Sequence, residues 1–301
     1  MKTARYRLIF AGIILLGFTH TATAQEGLKI YISADMEGVV GVVTGDQLGP
    51  SGFEYQRFRG FMTQEVNTAI DAAFEAGATE VVVSDSHGNG ENLLLEHLPD
   101  NVVVIRSWPR PLSMMEGIDA TFDGAIFIGY QTSTTNTRGV RAHTLSSARL
   151  TAVRLNGQAM AEAGINAAIA GHFGVPIIMI SGDDAIVEEA RSLLGDVEGA
   201  VVKWALGFHS AKTLTPEAAY AVIREKVKAA MARIDEFKPY RLDGPIQLDV
   251  SFKNYRPVEV LAYLPIVERI DAHTIRFVGK DMIEVSKFLA FILNYTPDLA
   301  P

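Results

Sequence analysis

Asp35 and Glu37 directly follow the apolar run 28–34, LKIYISA, and two carboxylates at one strand end make a natural place for a cation. Side chains two apart in an extended chain share a face, so a strand running on through Asp-Met-Glu-Gly sets both acids together. Buried carboxylates repel each other, and a cation between them removes that cost. His87, after TEVVVSDS, and Glu162, at the start of a helical segment, are candidates to complete a divalent-metal site. Each of these residues has a plainer reading as a solvated loop acid, a helix-terminal acid or a structural imidazole. Convergence favours the metal. In open α/β sheets ligands bind beyond the carboxyl ends of the strands. Asp35, Glu37, Asp85, His87, Gln131 and Asp183 all follow expected strands at that edge.

His143 lies in a polar stretch, 131–147, rich in Thr, Ser and Asn. Long polar loops inside an apolar chain often line a site. An imidazole there could act as nucleophile, general base or oxyanion stabiliser, or stand idle in solvent. His97, His172, His209 and His273 have no such company. GxSxG, P-loop, GxGxxG and HExxH patterns are all missing, so serine-hydrolase, nucleotide and zincin chemistries lack local support.

The elements that must place these residues alternate. Strands are expected at 28–34, 80–84, 102–105, 125–129, 150–155 and 176–181, and helices at 54–76, 162–172, 185–194 and 215–235. That rhythm predicts an α/β fold, a mostly parallel sheet with helices on both faces. Asn156-Gly157 marks a hairpin turn. After Lys238-Pro239 the texture changes to strand 246–252, helix 257–264, strand 274–279 and helix 282–294, a smaller α+β unit. The expected organisation is therefore 1–24 signal peptide, 25–240 metal-binding catalytic domain, and 241–301 a smaller unit packed on or interleaved with it.

The signal reading rests on Lys2, Arg5 and Arg7, a short apolar run at 8–18, and the small-x-small pattern Ala22-Thr23-Ala24. It predicts export to the periplasm or medium with no stable membrane anchor. Removing 1–24 takes Lys+Arg from 27 to 24 and leaves Asp+Glu at 35, a mature charge of about −11. Such a surface disfavours nucleic acid and anionic membranes. The chain has no cysteine, so disulfides are excluded and metal ligands must be carboxylate, imidazole, amide or water.

Ser33-Ala34-Asp35-Met36-Glu37-Gly38 resembles the opening signature of the zinc-dependent D-aminopeptidase family, and Asp85-Ser86-His87 resembles its second. Met115-Glu116-Gly117, Phe122-Asp123-Gly124-Ala125 and Gly129-Tyr130 are similar to its middle portion. Arg141-Ala142-His143-Thr144 is similar to the stretch holding its catalytic histidine. Glu162, with Gly164-Ile165-Asn166-Ala167, resembles its last acidic ligand, and Gly182-Asp183-Asp184 and Val202-Lys203 also have counterparts. The resemblance runs over about 28–295. It implies two zinc ions bridged by Asp35, one completed by Glu37 and His87, the other by Glu162 and a histidine after Gly-Tyr. Here that position is Gln131. An amide oxygen suits zinc less well than imidazole, so the second ion is weakly held, replaced by a harder cation such as manganese, or missing.

The resemblance further implies a homo-oligomeric metallo-aminopeptidase that releases D-residues such as D-alanine from short peptides. The chemistry is coherent, because a divalent cation polarises a carbonyl and makes water a stronger acid, with a pKa near ~7. Two alternatives stand beside it. One is a phosphoesterase using Arg138, Arg141 or Lys203; the other is an exported peptide-binding protein without turnover.

Overall fold

The structure, a computed structural model, describes Met1 and residues 27–295. The expected signal peptide otherwise lies outside the described residues. Among the described residues no helix is long and apolar enough to cross a membrane.

Two sheets form the scaffold. The larger contains β1 (Leu28–Ala34), β2 (Ala78–Asp85), β3 (Val103–Ile105), β4 (Gly124–Tyr130), β7 (Ile177–Asp183), β8 (Glu198–Gly207) and β9 (Ser210–Thr213). Its order is β3-β2-β1-β4-β7-β8-β9, parallel throughout except for β9 at the edge. The smaller, antiparallel sheet has the order β11-β12-β10-β5-β6, built from β5 (Leu150–Leu155), β6 (Gln158–Ala159), β10 (Ile246–Phe252), β11 (Val267–Arg269) and β12 (Thr274–Gly279). Asn156-Gly157 makes the turn between β5 and β6, both at positive φ, as the dipeptide predicts.

The large sheet is covered on both faces, and its strands alternate accordingly. Ile30, Ile32, Val81, Val83, Ile126 and Ile128 face one core, roofed by α1 (Tyr55–Glu75) and α4 (Pro216–Ala232). Tyr31, Val82, Ala125 and Phe127 face the other. This second core takes in α2 (Glu162–His172), α3 (Asp184–Leu194), the small sheet and α6 (Met282–Asn294). The short α5 (Tyr255–Leu261) packs on the small sheet. The tail does not build its sheet alone, because β5 and β6 come from the middle of the chain and the two layers share one apolar core.

Helix α2 sits where the layers meet, against β4 on one side and α6 on the other. Every residue of it except His172 is buried. Its small residues follow from that squeeze. A Cβ on Gly171 would meet the Tyr240 carbonyl oxygen, so only glycine lets the chain pass there. Glu162 opens this helix and is thereby fixed by both layers.

Candidate metal centre

β1 lies between β2 and β4, with Ala34 paired to Asp85 on one side and to Ile128 on the other. The three strands therefore end together. The ladder runs on past them: Ser86 N–H donates to the Ala34 carbonyl at 2.8 Å, Asp35 N–H to Ile128 at 2.8 Å and Gly38 N–H to Gly129 at 2.6 Å. Asp35 and Glu37 are not strand residues. β1 stops at Ala34, and the two acids converge in the turn that follows. Glycine makes that turn possible, because Gly129 has φ +73° and a Cβ there would lie 2.2 Å from the Asp35 carbonyl oxygen.

His87 is anchored by its Nε2, which donates to the Leu48 carbonyl at 2.7 Å. Nδ1 then carries the lone pair, and it faces Asp35 Oδ1 at 3.1 Å and Glu37 Oε2 at 2.9 Å. These are three acceptors in close contact, all buried, with donor atoms within 4.8 Å of one another. Asp35 Oδ2 and Glu37 Oε2 have no hydrogen-bond donor among the described residues. A cation satisfies all of them at once. Zinc takes such nitrogen and oxygen donors at about 2.0–2.2 Å, so the donor set fits it.

The electrostatics agree. Burial, with the charges of Glu37 and Glu162, holds the Asp35 carboxyl well above the usual carboxylate range. Burial also pushes Glu37 upward, but His87 and His143 override it and hold Glu37 far below that range. Burial alone would lower the His87 imidazole; the Glu37 charge and the Asp35 contact raise it well above its ordinary value. The pocket therefore demands positive charge at Nδ1, as a proton or as a metal.

His143 repeats the device. Its Nδ1 donates to the Arg141 carbonyl at 2.8 Å, so in the neutral ring the lone pair is on Nε2, 3.7 Å from Glu37 Oε1 and 3.9 Å from Glu162 Oε1. Arg141 and Leu145, on either side of it, both have positive φ, +57° and +62°. Such backbone is costly for side-chain-bearing residues and clusters at functional sites. The Leu145 conformation delivers its N–H to Glu162 Oε1 at 2.6 Å. The polar residues of 131–147 largely hold the loop itself: Thr144 and Thr134 bond each other reciprocally, and Ser133 N–H and Asn136 reach Glu189 on α3.

Gln131 directly follows β4 and is buried, and neither of its amide atoms has a hydrogen-bond partner among the described residues. Asp85 and Asp183 are structural. Asp85 accepts from Asn92 N–H, Leu93 N–H and the Asn92 amide, so it staples the loop after β2 and is not the partner of His87. Asp183 caps α3 through Ile186 N–H and ties in Val140 N–H. Asp35, Glu37, His87, His143 and Glu162 share one cavity of about 300 Å³, and Gln131 is not on its wall.

Two supports have roles that the sequence does not show. The Leu48 carbonyl is one. Lys203, on β8, is the other. Fully buried, it donates to the carbonyls of Glu37, Val39 at 3.0 Å and Val42 at 2.7 Å, fastening the turn that carries Glu37. Burial pulls its ammonium down to about 8 against the charges of Asp183 and Glu65.

Glu65, on α1, receives Val40 N–H on Oε1 and has no partner for Oε2 among the described residues. Burial raises its pKa to about 7, above an ordinary 4.5. The folded state thus binds this proton more tightly than the unfolded state. The stabilisation is complete below pH 4.5 and is lost as pH rises through about 7. Glu65→Gln should remove from this window a downward slope of stability worth on the order of 3 kcal/mol. Urea unfolding at several pH values reads it, and an unchanged slope would show that Glu65 titrates normally.

An α/β sheet presenting a buried carboxylate–imidazole cluster and a second imidazole to one cleft is the framework of a metal-dependent hydrolase. The chain belongs to the D-aminopeptidase family, whose pattern it matches over residues 28–291. It is 36% identical to a D-aminopeptidase of Bacillus subtilis strain 168 over 261 residues, 85% of this chain and 93% of that protein. It also resembles the solved structure of the Zn-dependent D-aminopeptidase DppA from Bacillus subtilis, described as a self-compartmentalizing protease. That match has a TM-score of 0.86 and 33% identity, and covers 90% of this chain and 99% of the other.

Proposed function

We propose that this protein is a zinc-dependent aminopeptidase that removes N-terminal D-residues, such as D-alanine, from short peptides. One observation carries the reading: His87 Nδ1 meets Asp35 and Glu37 with its other nitrogen already committed to Leu48. Asp35, Glu37 and His87 would hold one zinc; Asp35 Oδ2 and Glu162 are the donors on the cavity wall left for a second, with Gln131 buried behind it at the position the family resemblance gives to a ligand. Bound zinc supplies Lewis-acid chemistry, polarising a carbonyl and acidifying water. His143 takes up the proton at Nε2, with its ring held by the Arg141 carbonyl so that the lone pair faces the acids. The acids also form an anionic wall for the substrate's ammonium group.

A phosphoesterase would place cations beside the metal site. Of the cations the sequence offered, Lys203 is turned to backbone carbonyls, Arg138 pairs with Glu188 at the surface and Arg141 does not line the cavity, which leaves Arg149 as its one guanidinium. Elemental analysis of the purified protein, with hydrolysis of a D-alanyl amide and a phosphate ester before and after chelation, tests the reading. Zinc-dependent release of D-alanine is expected; cleavage of the phosphate ester alone would overturn it.

Gln131→His should raise occupancy of the second zinc, read as metal per chain. Unchanged stoichiometry would place position 131 outside the ligand set. The reading includes export, supported by the basic start, short apolar run and Ala-Thr-Ala of 1–24, and self-assembly, supported by the description of DppA. A cell fraction lacking a mature form starting at Gln25, or a monomer by light scattering, would count against these two parts.

A further inference from the structure

The cavity that holds the acids has a second pole. Asp35, Glu37 and Glu162 line it, and so does the exposed Arg149. Arg149 is the one lysine or arginine among the lining residues. Its Nη2 donates to the Leu293 carbonyl at 3.0 Å and its Nε to Ser146 Oγ at 3.3 Å. These bonds orient the guanidinium without neutralising it. Among the described residues no carboxylate pairs with it, although this chain has 35 acids. A guanidinium has five N–H donors, so most of its donating capacity is left over.

We propose that Arg149 receives the C-terminal carboxylate of the substrate, so that the enzyme selects short peptides with a free C-terminus. This rests on the aminopeptidase reading of the same cavity. A peptide zwitterion carries an ammonium at one end and a carboxylate at the other, and the cavity carries the opposite charges. The size agrees. At about 300 Å³ it is at the small end of ligand sites, which run roughly 300–1,000 Å³. An extended chain spans at most ~3.6 Å per residue, so two or three residues bridge roughly 7–11 Å. Arg suits this task because its planar fork matches a carboxylate in two hydrogen bonds.

The competing role is structural, with Arg149 merely tying the 145–149 turn to α6 through Leu293. Substrate charge separates the two. Zinc-loaded full-length protein is assayed on D-alanyl-D-alanine and on its C-terminal amide. Wild type should favour the acid by about tenfold or more in kcat/KM, mostly through KM. In Arg149→Gln the acid-to-amide ratio should collapse to about one, and Arg149→Lys should restore part of it. A wild-type ratio near one, or a ratio unchanged in Arg149→Gln, would overturn the proposal. If wild type cleaves neither peptide, the aminopeptidase reading fails. Calorimetric binding of the same two peptides then scores Arg149 by the same ratio.

Discussion

His143→Ala should lower turnover by roughly 10²–10⁴-fold while zinc content and fold stay as they were. The imidazole contributes a single lone pair, at Nε2, and the distances of 3.7 and 3.9 Å to the carboxylates of Glu37 and Glu162 are too long for direct hydrogen bonds. The space between them suits a water or substrate atom. Removing a group that acts only in the chemical step lowers kcat and kcat/KM together and leaves KM nearly unchanged. Steady-state kinetics on a D-alanyl substrate, with metal analysis on the same sample, read both. Turnover within a few-fold of wild type would remove His143 from catalysis. Loss of a zinc equivalent would instead make it a ligand, with Nε2 taking the place that Gln131 fills poorly.

The second large effect is on the metal itself. His87→Ala should weaken zinc binding by at least ~100-fold, since changes in residues that merely support a ligand already cost 10–100-fold. The substitution removes the only nitrogen of the Asp35–Glu37–His87 trio and leaves two buried carboxylates facing each other. Competition with a chromogenic chelator measures it, and unchanged affinity would dissolve the assigned ligand set. Affinity in the intact protein should also fall with acid. Asp35 and His87 both hold protons to higher pH than the free groups do, and zinc must displace those protons. Binding is therefore strongest above their raised pKa values and is lost as pH falls through them.

Much of this was readable in the chain. Strong periodicity marked β1, β2, β4, β7, α1 and α2 to within a few residues, because buried parallel strands are continuous apolar runs and glycine or Asn-Gly ends them. Asp35, Glu37 and His87 follow where strands stop, Glu162 sits where a helix starts, and His143 stands out by the polar stretch 131–147. β8 was missed because Gly199 and Lys203 interrupt its apolar run; Lys203 lies inside only because backbone carbonyls solvate it. β9 and β11, short edge strands with exposed polar faces, carry little pattern. The pairing of β5 with β10 joins residues nearly 100 apart, a contact no local window contains. A turn, and not the pleat of a strand, brings Asp35 and Glu37 together, and no period-2 pattern encodes it.

Position 48 offers a last consequence. The atom that orients His87 is a main-chain oxygen, which every amino acid possesses. Leu48 can thus be exchanged across generations while the imidazole keeps its bearing, provided the local path of the chain survives. Among descendants, selection would leave no signature of this role in the letters of that column.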